Sequence, residues 1–326
     1  MVSGHGALSE RAGALGAALI AVTLWASAFV GIRSADRHLS PGALALGRLL
    51  VGSAALAIVV LLRRERNGGR GSLDRRTAAQ IALCGVLWFG VYNVALNAAE
   101  RRVDAGTAAM LVNVGPILIA VLAGAVLREG FPPRLVVGCL ISFAGAAVIG
   151  LASSRQGVRE SWGALLCLLA ALAYAGGVVA QKPALRDLSA LRVTWLACTV
   201  GAISCLFYAP ALVHQLAHAS GSAIAWTVYL GVAPTAIGFA AWAYALAQTT
   251  AGRMGSTTYL VPPLAVLLGW LLLGEVPPAL ALPGGLLCLC GVAVARRAPA
   301  RPRSGRQSIA ESARLRSKAH RSRRSQ

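Results

Sequence analysis

Long runs of apolar residues, separated by short polar connections, extend along nearly the whole chain. A run of about 18 or more apolar residues with few charges is a candidate spanning helix, because a helix of that length crosses the hydrocarbon core of a bilayer. The pattern predicts an all-α integral membrane protein with ten transmembrane helices. The runs lie near residues 12–32, 41–62, 78–99, 105–127, 134–153, 161–181, 191–213, 223–246, 253–274 and 277–295.

One of these runs occurs twice. Residues 105–129 read AGTAAMLVNVGPILIAVLAGAVLRE, and residues 251–275 read AGRMGSTTYLVPPLAVLLGWLLLGE. A shift of 146 positions aligns the two copies without a gap and places Pro116 on Pro262. Chance supplies scattered Leu and Ala matches, but it rarely supplies a matched proline and glutamate at one shift. The chain is therefore predicted to contain an internal repeat.

The repeat divides the chain into two halves of five spans, residues 12–153 and residues 161–298. Because five is an odd number, the second half enters the membrane in the opposite orientation to the first. Inverted-topology repeats are typical of secondary transporters, whose binding sites lie near the bilayer midplane between the repeats. We therefore expect two inverted five-helix repeats around a central cavity.

Prolines stand in the middle of both copies of the repeated run. Pro116 and Pro262 have no N–H to donate to the preceding turn, so each breaks its helix, and Pro263 repeats the break. In lipid, such breaks are tolerated where the backbone faces protein or a water-filled cavity. Asn113 and Tyr259 stand one turn earlier, on the same helix faces. We interpret both faces as lining a substrate-binding cavity; the alternative is a packing kink, with Asn113 bonded to a neighbouring helix.

Three charged residues lie in the predicted spans or at their ends. Arg48 stands inside the second span, where a charge is a functional hypothesis by default. It is a candidate ligand for an anionic group of the substrate; the alternative is snorkelling to the interface or pairing with backbone carbonyls. Glu129 and Glu275 end the two copies of the repeated run, where they are candidate gate residues or helix caps.

Aromatic and amide side chains inside the spans extend the candidate pocket. Aromatic residues near span ends are usually interface anchors, whereas deeper ones are available to a binding site. Besides Asn113, Tyr259 and Arg48, the residues interpreted as substrate-binding are Trp25, Tyr92, Asn93, Trp242 and Tyr244.

Small residues form matching stripes in the fifth and tenth spans. Such stripes allow two helices to approach closely. We interpret them as packing surfaces, either within the monomer or at the contact of a homodimer, and not as chemistry. The glycines concerned are Gly138, Gly145, Gly284 and Gly291.

Composition agrees with a membrane protein and argues against an enzyme. The chain is 57% hydrophobic and 13% charged, whereas about a quarter of the residues of a soluble domain are charged. It contains no P-loop, HExxH or GxSxG motif. His214 and His218 have the i, i+4 spacing of metal ligands but lack a third ligand. We therefore expect no enzymatic activity, no cofactor and no metal.

The distribution of basic residues predicts the orientation in the membrane. The net charge is +20, and with the N-terminus inside, the inner segments hold 24 Lys and Arg residues against 6 in the outer loops. Because short inner loops carry the excess of positive charge, both termini are predicted to be cytoplasmic. Residues 1–11 then form a short N-terminus and residues 299–326 a basic, disordered tail. We interpret the tail as a topology signal or a ligand for anionic lipid, and not as a nucleic-acid site.

Several segments resemble the EamA-type branch of the drug/metabolite transporter superfamily. They are WASAFV at 25–30, Pro41 to Arg48, YNVALN, AGTAAMLVNVGP and, in the second half, YLGVAPTAIGFAAWAYAL, YLVPPLAVLLGWLLLGE and GGLLCLCGVAVA. The resemblance covers residues 12–297, and it depends on two ordered copies more than on any single motif. It implies ten helices in an inverted arrangement around a central cavity, and export of metabolites or drugs.

These observations together predict a secondary active transporter in the bacterial inner or plasma membrane. We expect it to export small metabolites, such as amino acids or related amphipathic compounds, by alternating access. Its partners are then a small-molecule substrate and the lipid bilayer. The alternative is a membrane sensor or scaffold that transports nothing; it would be marked by a soluble output domain, and none is visible in the sequence.

Overall fold

A computed structural model describes residues 3–35, 38–62, 73–102, 111–153, 161–273 and 279–297. Within these ranges every regular element is helical. The α-helices are α1 (Ser3–Ala35), α2 (Pro41–Leu62), α3 (Arg75–Cys84), α4 (Tyr92–Glu100), α5 (Gly115–Val126), α6 (Pro133–Ser153), α7 (Ser161–Ala184), α8 (Ala190–Ser204), α9 (Ala209–Ala217), α10 (Gly221–Leu230), α11 (Phe239–Gln248), α12 (Ala251–Thr257), α13 (Val261–Leu273) and α14 (Ala281–Arg296).

Six helices or continuous helix pairs in the described part are long and apolar enough to cross a membrane. A seventh is counted if α8 and α9, which meet at a bend of 50°, form one span. Three shorter apolar helices accompany them: α5, most of α6 and most of α14. The all-helical membrane fold is therefore confirmed, whereas ten spans remain a prediction. The six long spans are Ala12–Ile32, Pro41–Leu62, Arg75–Glu100, Leu165–Ala184, Gly221–Gln248 and Ala251–Leu272.

Two of the long spans contain a π-helical segment that the apolar pattern did not predict. One is Gly85–Val91, between α3 and α4, and the other is Gly231–Gly238, between α10 and α11. Their first glycines press against neighbouring helices: a Cβ on Gly85 would lie 2.6 Å from the Ala197 carbonyl oxygen. Segments of this kind are frequent at functional sites, because they turn side chains and free carbonyl groups.

The observed helices differ from the predicted spans in two places. The apolar span Ala12–Ile32 agrees with the prediction, but α1 as a whole extends from Ser3 to Ala35, because no proline interrupts it. The seventh predicted span, residues 191–213, is interrupted after Cys205 by a short 3-10 helix. Pro210 stands in the first turn of α9, where the missing N–H costs no hydrogen bond.

The helices α6 and α14 pack closely through their small residues. The Ser142 hydroxyl donates to the Cys288 carbonyl oxygen at 3.1 Å, and the Cys288 thiol donates to the Ser142 carbonyl oxygen at 3.5 Å. A Cβ on Gly138 would lie 2.6 Å from the Gly291 oxygen, and a Cβ on Gly145 would lie 2.5 Å from the Gly284 oxygen. The two backbones therefore meet in antiparallel directions at a separation that only glycine permits.

The packing predicts that Gly291→Ala destabilises the protein by roughly 1–3 kcal/mol, because the new methyl group would lie 2.5 Å from the Gly138 carbonyl oxygen. Thermal unfolding of the purified protein in detergent measures the effect. Gly16→Ala is the matched control, since nothing lies within 4 Å of a Cβ at Gly16. An unchanged melting temperature for Gly291→Ala would contradict the close helix contact.

Candidate functional site

A cavity of about 90 Å³ lies among the helices of the described part. One water molecule occupies roughly 10–15 Å³ of such a cavity. The cavity therefore has room for several waters or for part of a small solute. Its wall combines aromatic and aliphatic side chains with a few polar groups, the usual composition of a small-molecule site. The lining residues are Trp25, Ala28, Phe29, Ile32, Arg48, Trp88, Tyr92, Asn93, Leu96, Val112, Asn113, Pro116, Tyr174, Phe239, Thr258 and Val261.

The two interrupted helices both border this cavity. Ahead of α5 the backbone forms a turn at Asn113 and Val114, and the Val114 carbonyl accepts from Ile117 and Leu118 at 3.0 and 3.1 Å. Pro116, which lines the cavity, needs no acceptor at this point. Non-helical backbone at membrane depth is thus placed against protein and a cavity, as lipid requires.

The second break is the 3-10 turn Thr258–Leu260, between α12 and α13. Thr258 lines the cavity, and its hydroxyl donates to the Gly255 carbonyl oxygen at 2.7 Å. The same hydroxyl accepts from the Tyr174 hydroxyl at 3.3 Å. Pro262 and Pro263 follow at the start of α13. A local side-chain bond therefore satisfies backbone that the 3-10 turn takes out of the regular helix.

Arg48 brings a charge into the cavity. Its side chain is 5% exposed, and its Nε donates to the Thr235 hydroxyl at 3.1 Å. Thr235 belongs to the second π-helical segment and donates in turn to the Leu230 carbonyl oxygen at 2.8 Å. Glu100, whose carboxylate has the opposite charge, interacts with the guanidinium electrostatically. The arginine is thus held at one point, by a hydroxyl that is itself fixed.

Part of the cavity wall belongs to a cluster of aromatic rings, which we call the aromatic floor. Trp25, Trp88, Phe239 and Trp242 form it, with ring centroids 4.9 Å apart for Trp25 and Trp242 and 4.8 Å apart for Trp88 and Phe239. The Trp25 indole donates to the Pro234 carbonyl oxygen at 3.2 Å. Aromatic pairs at these distances attract one another beyond their buried area, so the rings of the floor stabilise one another.

The structure gathers many of the residues that the sequence proposed for substrate binding, and it separates others from them. Arg48, Tyr92, Asn93, Asn113 and Trp25 line the cavity. The amide of Asn93 donates to the carbonyls of Trp88 and Phe89, at 3.2 and 2.9 Å, in the first π-helical segment. A role in substrate binding remains a prediction for each of them.

Three of the proposed residues lie away from the cavity lining. Trp242 is fully buried in the aromatic floor. Tyr259 is fully buried in a separate cluster with Cys139 and Cys288, and its hydroxyl has no partner in the described part of the chain. Tyr244 is 46% exposed. The direction in which each side chain points was not available from the apolar pattern alone.

Among the lining residues that were not proposed from the sequence as substrate-binding are Trp88, Tyr174, Phe239 and Thr258. Three of them have an equivalent in the other half that also lines the cavity. A shift of 146, the spacing of several contacts in the structure, takes Ala28 to Tyr174, Asn93 to Phe239 and Val112 to Thr258. All six of these residues line the cavity. Applied to the candidate Asn93, the repeat would have identified Phe239; the other two pairs start from Ala28 and Val112, apolar residues that the sequence pattern provided no reason to select.

A separate group of contacts surrounds the junction of α11 and α12, which we call the junction clasp. The Glu129 carboxylate accepts from the backbone N–H groups of Ala251 and Gly252, at 2.9 and 3.3 Å. The Lys182 ammonium donates to the carbonyl oxygens of Leu246 and Thr249. A carboxylate at a helix start and a cation at a helix end both oppose the local dipole. Glu275 lies outside the described residues.

Metal ligands do not cluster in the part of the chain that the structure describes. His214 stands in the last turn of α9 and His218 directly follows that helix, with its ring 2.9 Å from the His214 carbonyl oxygen. The seven cysteines are all free, and only Cys290 is exposed. These groups add nothing to the cavity.

The sequence model of the EamA-like transporter family matches residues 12–151 and residues 161–297. This chain belongs to the EamA-like transporter family. The match covers both halves of the chain, as the internal repeat suggested. The protein is therefore a transporter and a multi-pass protein of the bacterial cell membrane, and the sensor or scaffold alternative loses its support.

Relatives of this EamA-like transporter are also named as transporters. A "Probable terminal-alkyne amino-acid exporter" of Streptantibioticus cattleyicolor is 38% identical over 287 residues, which cover 87% of this chain and 93% of that protein. The "Uncharacterized transporter YdfC" of Bacillus subtilis is 34% identical over 271 residues, 83% of this chain and 87% of that protein.

A more distant relative and a solved structure extend the comparison. An "Uncharacterized transporter" of Archaeoglobus fulgidus is 26% identical over 278 residues, 85% of this chain and 96% of that protein. One crystal structure is similar with a TM-score of 0.72 at 22% identity, over 89% of this chain and 99% of the solved chain. At that identity the structural likeness supports the fold alone.

The junction clasp of this EamA-like transporter predicts that Glu129→Ala lowers the free energy of unfolding by roughly 0.5–2 kcal/mol, because two N–H groups at the start of α12 lose their acceptor. Glu129→Gln retains an acceptor oxygen, so we expect a smaller loss. Thermal unfolding measures both, with Gln248→Ala as the exposed control. Equal stability of Glu129→Ala and wild type would contradict the capping role.

Proposed function

We propose that this transporter exports small amphipathic metabolites, such as amino acids, by alternating access of two inverted halves. One observation carries the proposal: the cavity lies against both interrupted helices, and equivalent positions of the two copies contribute to its wall. Val112 and Thr258 form one such pair, and Asn93 and Phe239 form another. A binding site between inverted repeats is the arrangement on which secondary transporters depend.

Contacts between residues 146 positions apart support the inverted halves. Ser142 meets Cys288, and the Ser53 and Thr199 hydroxyls lie 2.7 Å apart. In a molecule with a pseudo-two-fold axis, only residues close to the axis meet their own equivalents. The π-helical segments, which begin at Gly85 and Gly231, obey the same shift. We infer that the axis passes through these two contacts, in the membrane plane.

The positions of the cavity and the junction clasp define a direction. With both termini cytoplasmic, Ile32 and Leu96 stand towards the outer ends of their helices, and they line the cavity. In that orientation the aromatic floor and the junction clasp stand on the cytoplasmic side of the cavity. We infer that this conformation is the outward-facing one. Opening the cytoplasmic side requires that the hydrogen bonds of Glu129 and Lys182 in the junction clasp break.

Unpartnered polar groups on the closed side support a second conformation. The Gln181 amide, the Trp242 indole nitrogen and the Tyr259 hydroxyl are buried without hydrogen-bond partners in the described part of the chain. Each such group costs about 1–3 kcal/mol unless something satisfies it. An inward-facing conformation that admits water to this side would satisfy all three.

The chemistry of the cavity suits an amphipathic solute. Arg48, Asn93 and Asn113 provide polar groups, and the aromatic rings provide apolar wall. The relative named as a probable amino-acid exporter favours the same class of compound. Counterflow of labelled amino acids in proteoliposomes tests the proposal. Faster exchange of at least one amino acid than in empty liposomes is expected, and no exchange across the full panel would overturn it.

Asn113→Ala is predicted to reduce the rate of counterflow by about tenfold. The variant loses one or two hydrogen bonds to the bound solute, which together contribute about 1.4 kcal/mol. Membrane abundance should remain near that of wild type, because Asn113 is only half-buried. Ser222→Ala, at an exposed position in α10, is the control. Unchanged kinetics in Asn113→Ala would remove this residue from the site.

Tyr259→Phe is predicted to slow transport without destabilising the outward-facing conformation, because it removes a hydroxyl that has no partner there within the described residues. The inward-facing conformation loses the hydration of that hydroxyl and becomes less populated. Counterflow and thermal unfolding, measured on the same preparation, distinguish the two effects. Wild-type counterflow in Tyr259→Phe would show that the hydroxyl stays dry throughout the cycle.

A further inference from the structure

The guanidinium of Arg48 is a buried charge whose hydrogen bonds are mostly unused. The side chain is 5% exposed and lines the cavity. Nε donates to Thr235, and within the described part of the chain this is the hydrogen bond that the structure gives the arginine. The two terminal nitrogens, with four N–H groups, remain for a ligand. A buried charged group left in this state is costly unless a partner arrives.

From this geometry we propose that Arg48 binds the carboxylate of the transported solute. The inference rests on the proposed function and names its substrate class: solutes with one carboxylate and an apolar remainder. An arginine fork binds a carboxylate through two parallel hydrogen bonds. Fixing Nε through Thr235, which is itself bonded to Leu230, orients the fork before the solute binds.

The charge balance of the cavity supports an anionic group on the solute. Among the described residues that line it, Arg48 alone carries a formal charge. Glu100 acts on Arg48 electrostatically but is not part of the lining, so it attenuates the positive potential without occupying the fork. An incoming carboxylate neutralises the site. A solute with a second positive charge meets repulsion and no carboxylate in the wall.

The rest of the wall fits the apolar remainder of such a solute. Trp25, Phe29, Trp88 and Phe239 present rings to the cavity. Apolar area removed from water there stabilises the complex by about 25 cal/mol per Å². The ammonium group of an amino acid can lie against ring faces or amide oxygens, which attract cations without a formal charge. The carboxylate therefore anchors the solute, and the ammonium group contributes less.

Binding of three compounds with one carbon skeleton tests the inference. Leucine, leucinamide and 4-methylpentanoate are titrated against purified wild type, with tryptophan fluorescence and thermal stabilisation as readouts. We expect leucinamide to bind at least about tenfold more weakly than leucine, because it leaves a charged fork unpaired. We expect 4-methylpentanoate to bind within about fivefold of leucine, since loss of a weak cation–ring contact costs about 1 kcal/mol or less.

Three variants test whether Arg48 causes the preference for leucine over leucinamide. Arg48→Gln should bind leucine and leucinamide about equally. Arg48→Lys should keep the preference for leucine in a weaker form, since a lysine retains the charge but not the fork. Arg102→Gln, which removes an exposed arginine from the end of α4, should behave as wild type.

The outcomes separate this inference from the proposed function. Selective carboxylate binding without counterflow of leucine or any other amino acid would support the Arg48 site and contradict export. Counterflow with equal affinity for leucine and leucinamide would support export and overturn the Arg48 site. If Arg48 only stabilises the fold, Arg48→Gln lowers the melting temperature but keeps the preference for leucine, which also overturns it. If Arg48→Gln does not fold, the inference is tested by the affinities of wild type and of Arg48→Lys for leucine and leucinamide.

Discussion

The need to satisfy every backbone polar group inside a lipid bilayer determines where this chain can be irregular. Hydrocarbon offers no hydrogen bonds, so a helix break is tolerated only against protein or a cavity. The breaks at Asn113 and at Thr258 obey this rule: both residues border the cavity, and neighbouring hydroxyl and backbone groups complete the bonding there. The helix breaks near these prolines thus border the proposed binding site, and the cavity allows the chain to be irregular there.

The same constraint connects the cavity to the rest of the structure. The π-helical segments free carbonyl groups, and Asn93 and Thr235 use their side chains to satisfy them. Thr235 then holds Arg48, so an irregularity in one half orients the charge contributed by the other half. Close contact of α6 and α14 through glycine joins the ends of both halves. In the proposed cycle, the halves rock while this contact persists.

The sequence was sufficient for the class of fold and for five of the residues that line the cavity. Apolar length predicted the helices, and a matched proline pair predicted where they break, because both signals are local. Tyr259, Trp242 and Tyr244 show the limit of such reasoning. Their depth in the membrane could be read from the sequence, but the direction of each side chain depends on packing between distant helices. The π-helical segments and the bend after Cys205 also depend on such contacts, so the local sequence pattern did not predict them.

Distances between spin labels test the central claim of alternating access most directly. One pair, at Arg102 and Ser222, spans the proposed outer ends of the two halves, and a second pair, at Arg134 and Gln248, spans the inner ends; all four positions are exposed. Pulsed electron–electron double resonance on the reconstituted protein measures both distances, with and without saturating substrate. The account predicts opposite changes, with the outer distance shortening as the inner distance lengthens. Distances that stay fixed, or that change in the same direction, would contradict it.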